Sequence, residues 1–501
     1  MKKLYLTTPI YYVNDEPHIG HAYTTILADV INRYYQSIGF KTFFLTGTDE
    51  HGLKVQQAAH RNNVSPQIHV DKNVLAFKEI WNELNIDYNY FIRTTDKSHQ
   101  NKVKYALQLL YDKGEIYLDE YEGLYSISEE RFITQKEADE GNFREIKKIK
   151  EKNYFFKMSK YQQKLIDHIN SEPNFIQPES RKNEILGFLD KPLNDLCISR
   201  PKDRLEWGIE IPFDKNYVTY VWFDALLNYI SSIGWNEKNK FDQWWPADYH
   251  LIGKDILTTH AVYWPTMLMA LNIPLPKTIL AHGWWINDDQ KMSKSIGNVI
   301  KPLDLATEFS VDSLRYYLMR NMVVGQDASF SRQSFIKRYN ADLANDYGNV
   351  INRITILIKK NFEGYCPEPG NYSDIELSLI NLCEKIVEDF HHKMKKLKIH
   401  DALESIFSLI REINKYLETK QPWKTVKTDK SQKSDAATTL YVSVELLRIA
   451  SELLFSFMPE KTLITLKSLS QEITYNLKFG LMKPQSKITH PGVLFPRIDN
   501  D

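Results

Sequence analysis

Residues 3–47 read KLYLTTPIYYVNDEPHIGHAYTTILADVINRYYQSIGFKTFFLTG and contain the pattern that decides the fold. The first segment, residues 3–15, is typical of a buried strand followed by an exit loop. Residues 41–47 begin a second strand. Between the two strands, Gly39 ends a predicted helix whose apolar residues recur at helical spacing, namely Ile19, Ala22, Ile26, Leu27, Val30, Ile31 and Tyr34. This order of strand, helix and strand predicts the α/β unit of a Rossmann-type parallel sheet.

Two histidines flank a glycine at the start of this helix, in the order His18-Ile19-Gly20-His21. They fall at the carboxyl end of the first strand, where open α/β sheets bind ligands. Backbone N–H groups at a helix N-terminus attract phosphate, and Gly20 has no side chain that would hold a nucleotide away. With 14 His and 19 Gly in 501 residues, His-x-Gly-His is expected by chance about 0.015 times per chain. The segment indicates a nucleotide site, with two solvated or capping histidines as the alternative.

A polar loop later in the chain supplies complementary groups. Its residues are Lys291-Met292-Ser293-Lys294-Ser295, and they follow the strand pattern TILAHGWWI at 278–286. The loop therefore also stands at the carboxyl end of a predicted strand, where it can meet the histidines in one crevice. Two imidazoles and two ammonium groups suit an ATP site that stabilises charge on the phosphates during attack by a carboxylic acid. Alone, such a pentapeptide would usually be a solvated loop.

Composition narrows the class of protein. Hydrophobic residues make up 43% and charged residues 26%, as in ordinary globular proteins. The 64 basic residues balance 64 acidic ones, so a nucleic-acid surface would have to be a local patch. The three cysteines, Cys197, Cys366 and Cys383, form no Cys-x-x-Cys pair, which predicts no thiolate zinc site and favours a reducing cytoplasm. We expect neither a signal peptide nor a membrane span.

The strand and helix patterns divide the chain into four segments. Residues 1–115 and 216–334 predict the two halves of the sheet domain, with strand-like stretches at 217–225, 248–254 and 278–286 in the second half. Residues 116–215 predict an insertion. Its basic run REIKKIKEKNYFFK is either a solvated face or a contact with a nucleic-acid backbone. Beyond 335 the strand patterns thin out, and helix-period apolar residues predict an α-helical bundle over 335–501.

The chain resembles the class I aminoacyl-tRNA synthetases, and in particular their methionyl branch. The blocks that carry the resemblance span nearly the whole chain: TTPIYYVNDEPHIGHAYTT (7–25), FLTGTDEHG (44–52), YVWFDALLNY (220–229), HLIGKDIL (250–257), YWP (263–265), AHGWW (281–285) and KMSKS (291–295). The resemblance implies a Rossmann catalytic domain, an inserted connective peptide and a helical bundle that reads the anticodon. The implied reaction is ATP-dependent ligation of L-methionine to tRNA(Met) through methionyl-adenylate, with release of AMP and pyrophosphate.

The resemblance also assigns roles to particular residues. The catalytic residues would be His18, His21, Lys291 and Lys294. ATP, with Mg²⁺, would bind these four together with Gly20, Met292, Ser293 and Ser295. The implied methionine pocket comprises Ile10, Tyr12, Asp49, Trp222, Ala225, Tyr229, Ile256, His260 and Trp264. The anticodon would be read by Asn349, Arg353 and Trp423. The alternative for the aromatic residues is a purely structural place in the core, and for Trp423 a loop anchor.

The chain departs from the family in a few places. Many relatives carry Cys-x-x-Cys zinc knuckles in the connective peptide, whereas the corresponding stretch YEGLYSISEE has no Cys, which implies an enzyme without zinc. Some relatives also carry a C-terminal dimerising module, and its absence before residue 501 implies a monomer. Pro9 and Leu226 stand where some relatives have Ala and Pro.

Three other functions are alternatives to this interpretation. A sister synthetase for Leu, Ile or Val usually carries a much larger editing insertion, and the one for Cys needs zinc ligands. A small-molecule nucleotidyltransferase shares His-x-Gly-His but needs no helical anticodon domain. A catalytically inactive tRNA-binding paralogue should have lost its ATP motifs, and both are intact here.

Overall fold

A computed structural model describes residues 2–13, 17–126, 131–133, 138–139, 146–237, 240–287, 290–291, 300–425 and 430–499. Its first 112 residues build half of a central sheet. The elements are β1 (Lys3–Tyr12), α1 (Ile19–Ser37), β2 (Lys41–Asp49), α2 (Leu53–Arg61), α3 (Pro66–Glu83), β3 (Tyr90–Arg93) and α4 (Lys97–Asp112). β1 pairs in parallel with β2, and β2 pairs in parallel with β3. The predicted strand–helix–strand unit is confirmed. Gly39 follows α1 at φ 84°, a left-handed conformation that favours glycine.

The middle segment forms two small antiparallel sheets beside the central one. Its elements are β4 (Ile116–Ser126), β5 (Arg131–Ile133), β6 (Ile146–Phe156), α5 (Gln162–Ser171), β7 (Ile176–Gln177), α6 (Glu179–Leu189), β8 (Leu196–Cys197), β9 (Ser199–Pro201), β10 (Glu210–Ile211) and β11 (Asp214–Thr219). One sheet has the order β5-β4-β6-β8 and the other β10-β11-β9. Much of the predicted basic run lies in β6, which pairs along its length with β4.

The second half of the sheet domain completes the parallel sheet. Its elements are α7 (Val221–Leu226), α8 (Asn228–Ser231), α9 (Phe241–Trp244), β12 (Tyr249–Gly253), α10 (Trp264–Leu271), β13 (Ile279–His282), β14 (Trp285–Asn287), β15 (Gln290–Lys291), α11 (Pro302–Phe309), α12 (Val311–Asn321), β16 (Ala328–Phe330) and α13 (Arg332–Arg338). The central sheet has the order β3-β2-β1-β12-β13-β7, and all its pairs are parallel. Its last strand, β7, comes from within the segment 116–215, which therefore returns to the catalytic sheet.

Two strand predictions are wrong. The run at 278–286 predicted a single strand, but β13 ends at His282 and β14 begins at Trp285 in a different sheet. The apolar run at 217–225 predicted a single strand, but β11 ends at Thr219 and α7 begins at Val221. Tyr220 is the extended N-cap between them, with φ −69° and ψ 140°. A short apolar run does not distinguish a buried strand from a buried helix by periodicity alone. This helix carries two residues of the implied methionine pocket, Trp222 and Ala225.

The C-terminal part is a helical bundle, as predicted. It contains α14 (Asn349–Asn361), α15 (Asp374–Lys395), α16 (Ile399–Lys420), α17 (Pro422–Thr425), α18 (Lys430–Leu454) and α19 (Pro459–Ser468). A π-helical segment, Tyr339–Gly348, leads into it from the sheet domain. Within the part of the chain that the structure describes, no helix is both long and apolar enough to cross a membrane.

The alternation of side chains along the strands builds two separate cores. Leu4 and Leu6 of β1 face α1 and a large apolar cluster that continues into the helical bundle. Tyr5 points to the other face and belongs to a second cluster with α4, α8 and α10. Because both faces are covered, the carboxyl ends of the strands remain the accessible edge of the sheet.

Candidate active site

The two histidines of the first motif fold back on each other at the start of α1. His18 is the N-cap, and its Nδ1 accepts a hydrogen bond from the Gly20 N–H at 3.0 Å. The His21 Nδ1 accepts from the His18 N–H at 3.2 Å. The two rings stack with their centroids 3.8 Å apart. Because both Nδ1 atoms accept, the proton of each neutral ring resides on Nε2, where it is a donor suited to a phosphate oxygen.

The residues around the two histidines hold the rings together and keep the His21 ring uncharged. Burial, and then the neighbouring His18, lower the pKa of His21 well below its ordinary value, so His21 is neutral at pH 7. Tyr11 packs edge-on against His21, with ring centroids 4.9 Å apart. A Cβ at residue 20 would lie 2.9 Å from the His18 Cε1 atom. Gly20 is therefore required for the His18 ring to fold over the helix start.

The chain that follows the second motif comes back to the same helix start at Ile300. Lys291 closes the short strand β15, where its backbone pairs with Ile286. Ile300 lies nine positions on, and its carbonyl accepts a hydrogen bond from the Ile19 N–H at 3.2 Å. Met292, Ser293, Lys294 and Ser295 lie outside the described residues. Ile300 is thus held at the start of α1 by its bond to Ile19, the residue between His18 and Gly20.

A third strand end adds another histidine to this edge, one that the sequence analysis did not single out. His282 ends β13. Its Nδ1 lies 2.7 Å from the Gly283 carbonyl, and its Nε2 lies 2.7 Å from the Thr24 hydroxyl of α1. Since the carbonyl only accepts, Nδ1 is the donor and Nε2 accepts from Thr24. This bond ties the strand that precedes the second motif to the helix that begins with the first.

The implied methionine pocket contains two sets of contacting residues, and the first lies at the ends of β1 and β2. Tyr12 lies opposite Asp49 in the parallel register. The Tyr12 ring packs edge-on against Trp222 of α7, with centroids 6.4 Å apart. Of the nine residues, Ile10, Tyr12, Trp222 and Ile256 are partly exposed, whereas Asp49, Ala225, Tyr229, His260 and Trp264 are buried. Four of the nine side chains are therefore accessible to solvent, and five are shielded from it.

Tyr229 and His260 form a hydrogen-bonded pair in the buried part. The Tyr229 hydroxyl lies 2.8 Å from the His260 Nε2, and the His260 Nδ1 lies 2.9 Å from the Ile256 carbonyl. The carbonyl can only accept, so His260 carries its proton on Nδ1 and accepts from Tyr229 through Nε2. Burial lowers the pKa of His260 to about 4, which keeps the imidazole neutral. Tyr229 and His260 therefore form an uncharged, hydrogen-bonded part of the implied methionine pocket.

His250 holds the last aromatic wall in place, and the sequence analysis did not assign it a role. Trp264 donates its indole N–H to the His250 Nε2 at 3.3 Å. The other nitrogen, Nδ1, lies 2.8 Å from the Thr7 hydroxyl on β1. Its position at the start of the HLIGKDIL block, on a buried strand, was the available signal. Trp264 is completely buried, so its orientation depends on this bond.

The three residues implied in anticodon reading lie on one side of the helical bundle. The Arg353 guanidinium lies 4.9 Å from the centre of the Trp423 ring, and its Nη2 pairs with the Glu418 carboxylate at 2.8 Å. Asn349, one turn before Arg353 on α14, donates to Asn414 at 3.3 Å. Trp423 is partly exposed. A partly exposed indole, a guanidinium and an amide offer both stacking and hydrogen bonding to unpaired bases.

Metal ligands are not gathered in one place within the described residues. None of these residues form a cluster of three or more His, Cys, Asp or Glu side chains that could hold a metal ion. The first part of the Cys-free stretch YEGLYSISEE lies in β4, and its last four residues are outside the described ranges.

Comparison with known families identifies two matching regions. Residues 4–142 and 141–355 match the family described as tRNA synthetases class I (M). Residues 366–501 match the family described as the anticodon binding domain of methionyl tRNA ligase. The first match ends within α14, the first helix of the bundle, and the second begins after that helix.

Individual relatives are similar along the whole chain. The chain is 42% identical to the methionine–tRNA ligase of Rickettsia felis, covering 99% of both proteins. It is likewise 42% identical to the methionine–tRNA ligase of Caldanaerobacter subterraneus subsp. tengcongensis, covering 99% of this chain and 79% of that protein. A solved structure of Mycobacterium tuberculosis methionyl-tRNA synthetase in complex with methionyl-adenylate superposes with a TM-score of 0.95 at 39% identity, covering 99% of this chain and all of that one. The chain therefore belongs to the methionyl branch of the class I aminoacyl-tRNA synthetases.

Proposed function

We propose that this chain joins L-methionine to tRNA(Met) in two steps at the carboxyl edge of its parallel sheet. The observation that carries the proposal is the hydrogen bond between Ile19 and Ile300, because it joins the chain that follows the second motif to the helix start beside the stacked histidines. The family and its relatives support the same reaction.

The first step activates methionine. A carboxylate oxygen of the amino acid attacks the α-phosphorus of ATP, the bond to the bridging oxygen breaks, and pyrophosphate leaves. His18 and His21 present Nε2–H donors to the phosphate oxygens that gain charge. Lys291 and Lys294 neutralise the departing pyrophosphate. Donors fixed in advance cost no reorganisation when charge develops, and each contributes about 3–4 kcal/mol to lowering the barrier.

The amino acid is held beside these groups by the pocket. Asp49 ends β2 and is buried, a suitable place for a carboxylate that pairs with the substrate ammonium. Trp222, Tyr229 and Trp264 offer ring faces and edges, which thioethers favour. Selection against homocysteine is weaker, because one methylene changes binding by only about 1–3 kcal/mol.

The second step transfers the methionyl group. A hydroxyl of the terminal tRNA ribose attacks the acyl carbon and loses its proton to solvent, the bond between the acyl carbon and the phosphate oxygen breaks, and AMP leaves. Recognition of tRNA(Met) is assigned to Asn349, Arg353 and Trp423 in the helical bundle. Trp423 supplies the stacking surface, while the amide and the guanidinium supply hydrogen-bond donors to base edges.

Several finer features belong to the same proposal. Magnesium enters with ATP and is held mainly by phosphates and water. The connective peptide, residues 116–215, holds no zinc, in keeping with its lack of cysteine pairs. The enzyme acts as a cytoplasmic monomer. Its catalytic domain comprises residues 1–115 and 216–334, followed by the anticodon domain over 335–501. Elemental analysis for zinc and analytical ultracentrifugation test these statements directly.

Pyrophosphate exchange measured with each amino acid tests the central proposal. We expect methionine to support exchange far better than leucine, isoleucine, valine or cysteine. The purified enzyme should then charge tRNA(Met) with radiolabelled methionine. Equal exchange with leucine and methionine would identify a sister synthetase, and tRNA binding without any exchange would identify an inactive paralogue.

A further inference from the structure

A buried carboxylate lies between two imidazoles behind the methionine pocket. The Asp224 Oδ2 atom lies 2.5 Å from the His51 Nδ1, and the Asp224 Oδ1 atom lies 2.7 Å from the His99 Nε2. Exposure is 0% for Asp224, 4% for His51 and 1% for His99. Since a carboxylate only accepts hydrogen bonds, both imidazoles are donors here.

The cluster connects elements that are far apart in the sequence but adjacent in the site. His51 stands two residues after Asp49, which we assign to the substrate ammonium. Asp224 stands between Trp222 and Ala225 on α7. His99 comes from α4 behind both. The bond to His51 therefore fixes the α7 wall of the pocket relative to the carboxylate that binds the ammonium.

A second hydrogen bond connects the cluster to α8. The His99 Nδ1 lies 2.7 Å from the Ser231 hydroxyl. Ser231 ends α8, the short helix that carries Tyr229, and only Leu227 separates α8 from α7. The His99 imidazole thus bonds to both helices, to α7 through Asp224 and to α8 through Ser231. These bonds hold the Trp222 ring of α7 and the Tyr229 ring of α8 in one relative arrangement.

The charge of the carboxylate strengthens these links. Burial by itself raises the pKa of Asp224, but the adjacent His51 and His99 more than offset that effect, and the pKa lies below its ordinary value. Asp224 is therefore ionised at neutral pH, and its two hydrogen bonds are charge-assisted. Such bonds are shorter and stronger than those between neutral groups, so the geometry behind the pocket is firmly set.

We propose that Asp224 and His99 are positioning residues that set the affinity for methionine. They do so by holding α7, α8 and the end of β2 in fixed positions relative to one another. They act through Trp222, Tyr229 and Asp49 and do not touch the substrate. The inference rests on the proposed function, since it concerns the same pocket. It is independent of the ATP motifs, which lie at the start of α1 and after β14.

Pyrophosphate exchange with the full chain separates positioning from catalysis. Asp224→Asn keeps the shape of the side chain but loses its charge and one acceptor. We expect it to raise the KM for methionine by about tenfold or more, in line with loss of a hydrogen bond to a charged group. The kcat and the KM for ATP should change by less than about threefold, as expected for loss of ground-state binding alone. His168→Gln is the matched control, because that half-buried ring contacts Phe175 outside the cluster.

Two further variants separate the links. His99→Gln keeps an amide donor for Asp224 but loses the ring nitrogen that faces Ser231. Ser231→Ala removes only the hydroxyl on the other side of that bond. Because both changes break the same link, we expect them to raise the KM for methionine by similar factors of about three to ten. The double variant should be no worse than either single variant.

The possible results distinguish failure of the positioning role from failure of the proposed function. If the wild type activates methionine while Asp224→Asn and Ser231→Ala keep its KM for methionine, positioning is wrong and the cluster only supports the fold. A fall in thermal stability without a change in KM leads to the same conclusion. If Asp224→Asn does not fold, the partly exposed Ser231 position decides alone. Failure of the wild type to activate methionine would instead overturn the proposed function.

Discussion

The Arg315 guanidinium donates to the Asp29 carboxylate at 2.5 Å, and both side chains are completely buried. Asp29 lies on α1, the helix that begins beside His18, and Arg315 lies on α12. The same guanidinium also donates to the carbonyls of Ser456 and Phe457, at 3.1 and 3.0 Å, where the helical bundle turns from α18 into α19. One arginine therefore joins α1, the helix that His18 caps, to the bundle.

We predict that Arg315→Met destabilises the fold by about 3–5 kcal/mol, the usual cost of breaking a buried ion pair by removing one partner. Arg33 remains beside Asp29 at 2.7 Å, which favours the lower end of that range. Urea unfolding followed by circular dichroism measures the effect. Arg332→Met is the matched control, because its pair with Glu308 is exposed and should contribute less than about 1 kcal/mol. Equal effects of the two variants would contradict the prediction.

We predict that Lys294→Ala lowers the kcat of pyrophosphate exchange by about two orders of magnitude, as expected for one removed donor to the phosphates. The KM for methionine should stay close to that of the wild type, since Lys294 acts on the leaving pyrophosphate. Lys277→Ala serves as the control, because its exposed ammonium pairs with Asp248. A Lys294→Ala enzyme with normal kcat would remove this lysine from the mechanism.

Local patterns predicted the parts of the fold that depend on local physics. The strand–helix–strand unit, the strand around 248–254 and the helical bundle all follow from apolar periodicity. The run at 278–286 predicted one strand, but it contains β13 and β14, which belong to different sheets. The run at 217–225 was also predicted wrongly, because a short apolar segment fits either a strand or a helix. Strand β7 has only two residues, too few to leave a periodic signal. Its place at the edge of the sheet is set by pairing with β13 instead.

The site was predictable only where a motif stands on neighbouring residues. His18, Gly20 and His21 follow one another, and their geometry depends on hydrogen bonds within a single helical turn. The partners of Asp224 are 173 and 125 residues away in sequence. No spacing rule connects residues at such distances, so tertiary packing alone reveals that cluster. The roles in the methionine pocket came from the family resemblance for the same reason.

We predict that His260 makes the fold less stable in acid. Its folded pKa of about 4 lies below the unfolded value of about 6.5. Between these values the unfolded chain binds a proton that the folded chain does not, so stability falls as the pH drops from about 6.5 to about 4 and changes no further below that. The loss from this group is about 3 kcal/mol. His260→Gln should remove it, as measured by urea unfolding at several pH values.

The pH 8 measurement is the internal control for this prediction. There His260 is neutral in both states, so any difference between the variant and the wild type reports packing and the bond to Tyr229 alone. Subtracting that difference leaves the proton-linked part. An unchanged slope between pH 4.5 and 6.5 in the variant would show that other buried groups account for the acid sensitivity.

We predict that Trp264→Ala weakens methionine binding and selectivity together. The indole is completely buried and donates to His250, so its removal opens a pocket wall and frees the histidine behind it. The KM for methionine should rise, and discrimination against leucine should fall by about 10- to 200-fold. The KM for ATP should change less. Trp235→Ala, which removes a buried indole packed on Tyr105, should lower stability without changing selectivity.

We predict that Trp423→Ala impairs aminoacylation while leaving methionine activation nearly intact. A base stacked on an aromatic side chain contributes about 1–3 kcal/mol, so the efficiency of tRNA charging should fall by roughly one to three orders of magnitude. The loss should appear in the KM for tRNA, because the Arg353 guanidinium that lies over this ring would lose its support as well. Trp244→Ala is the matched control, since that partly exposed indole also has a cation above it, Lys41 at 5.7 Å. If Trp423→Ala instead lowered exchange, charging and thermal stability together, the indole would be a loop anchor that does not read the anticodon.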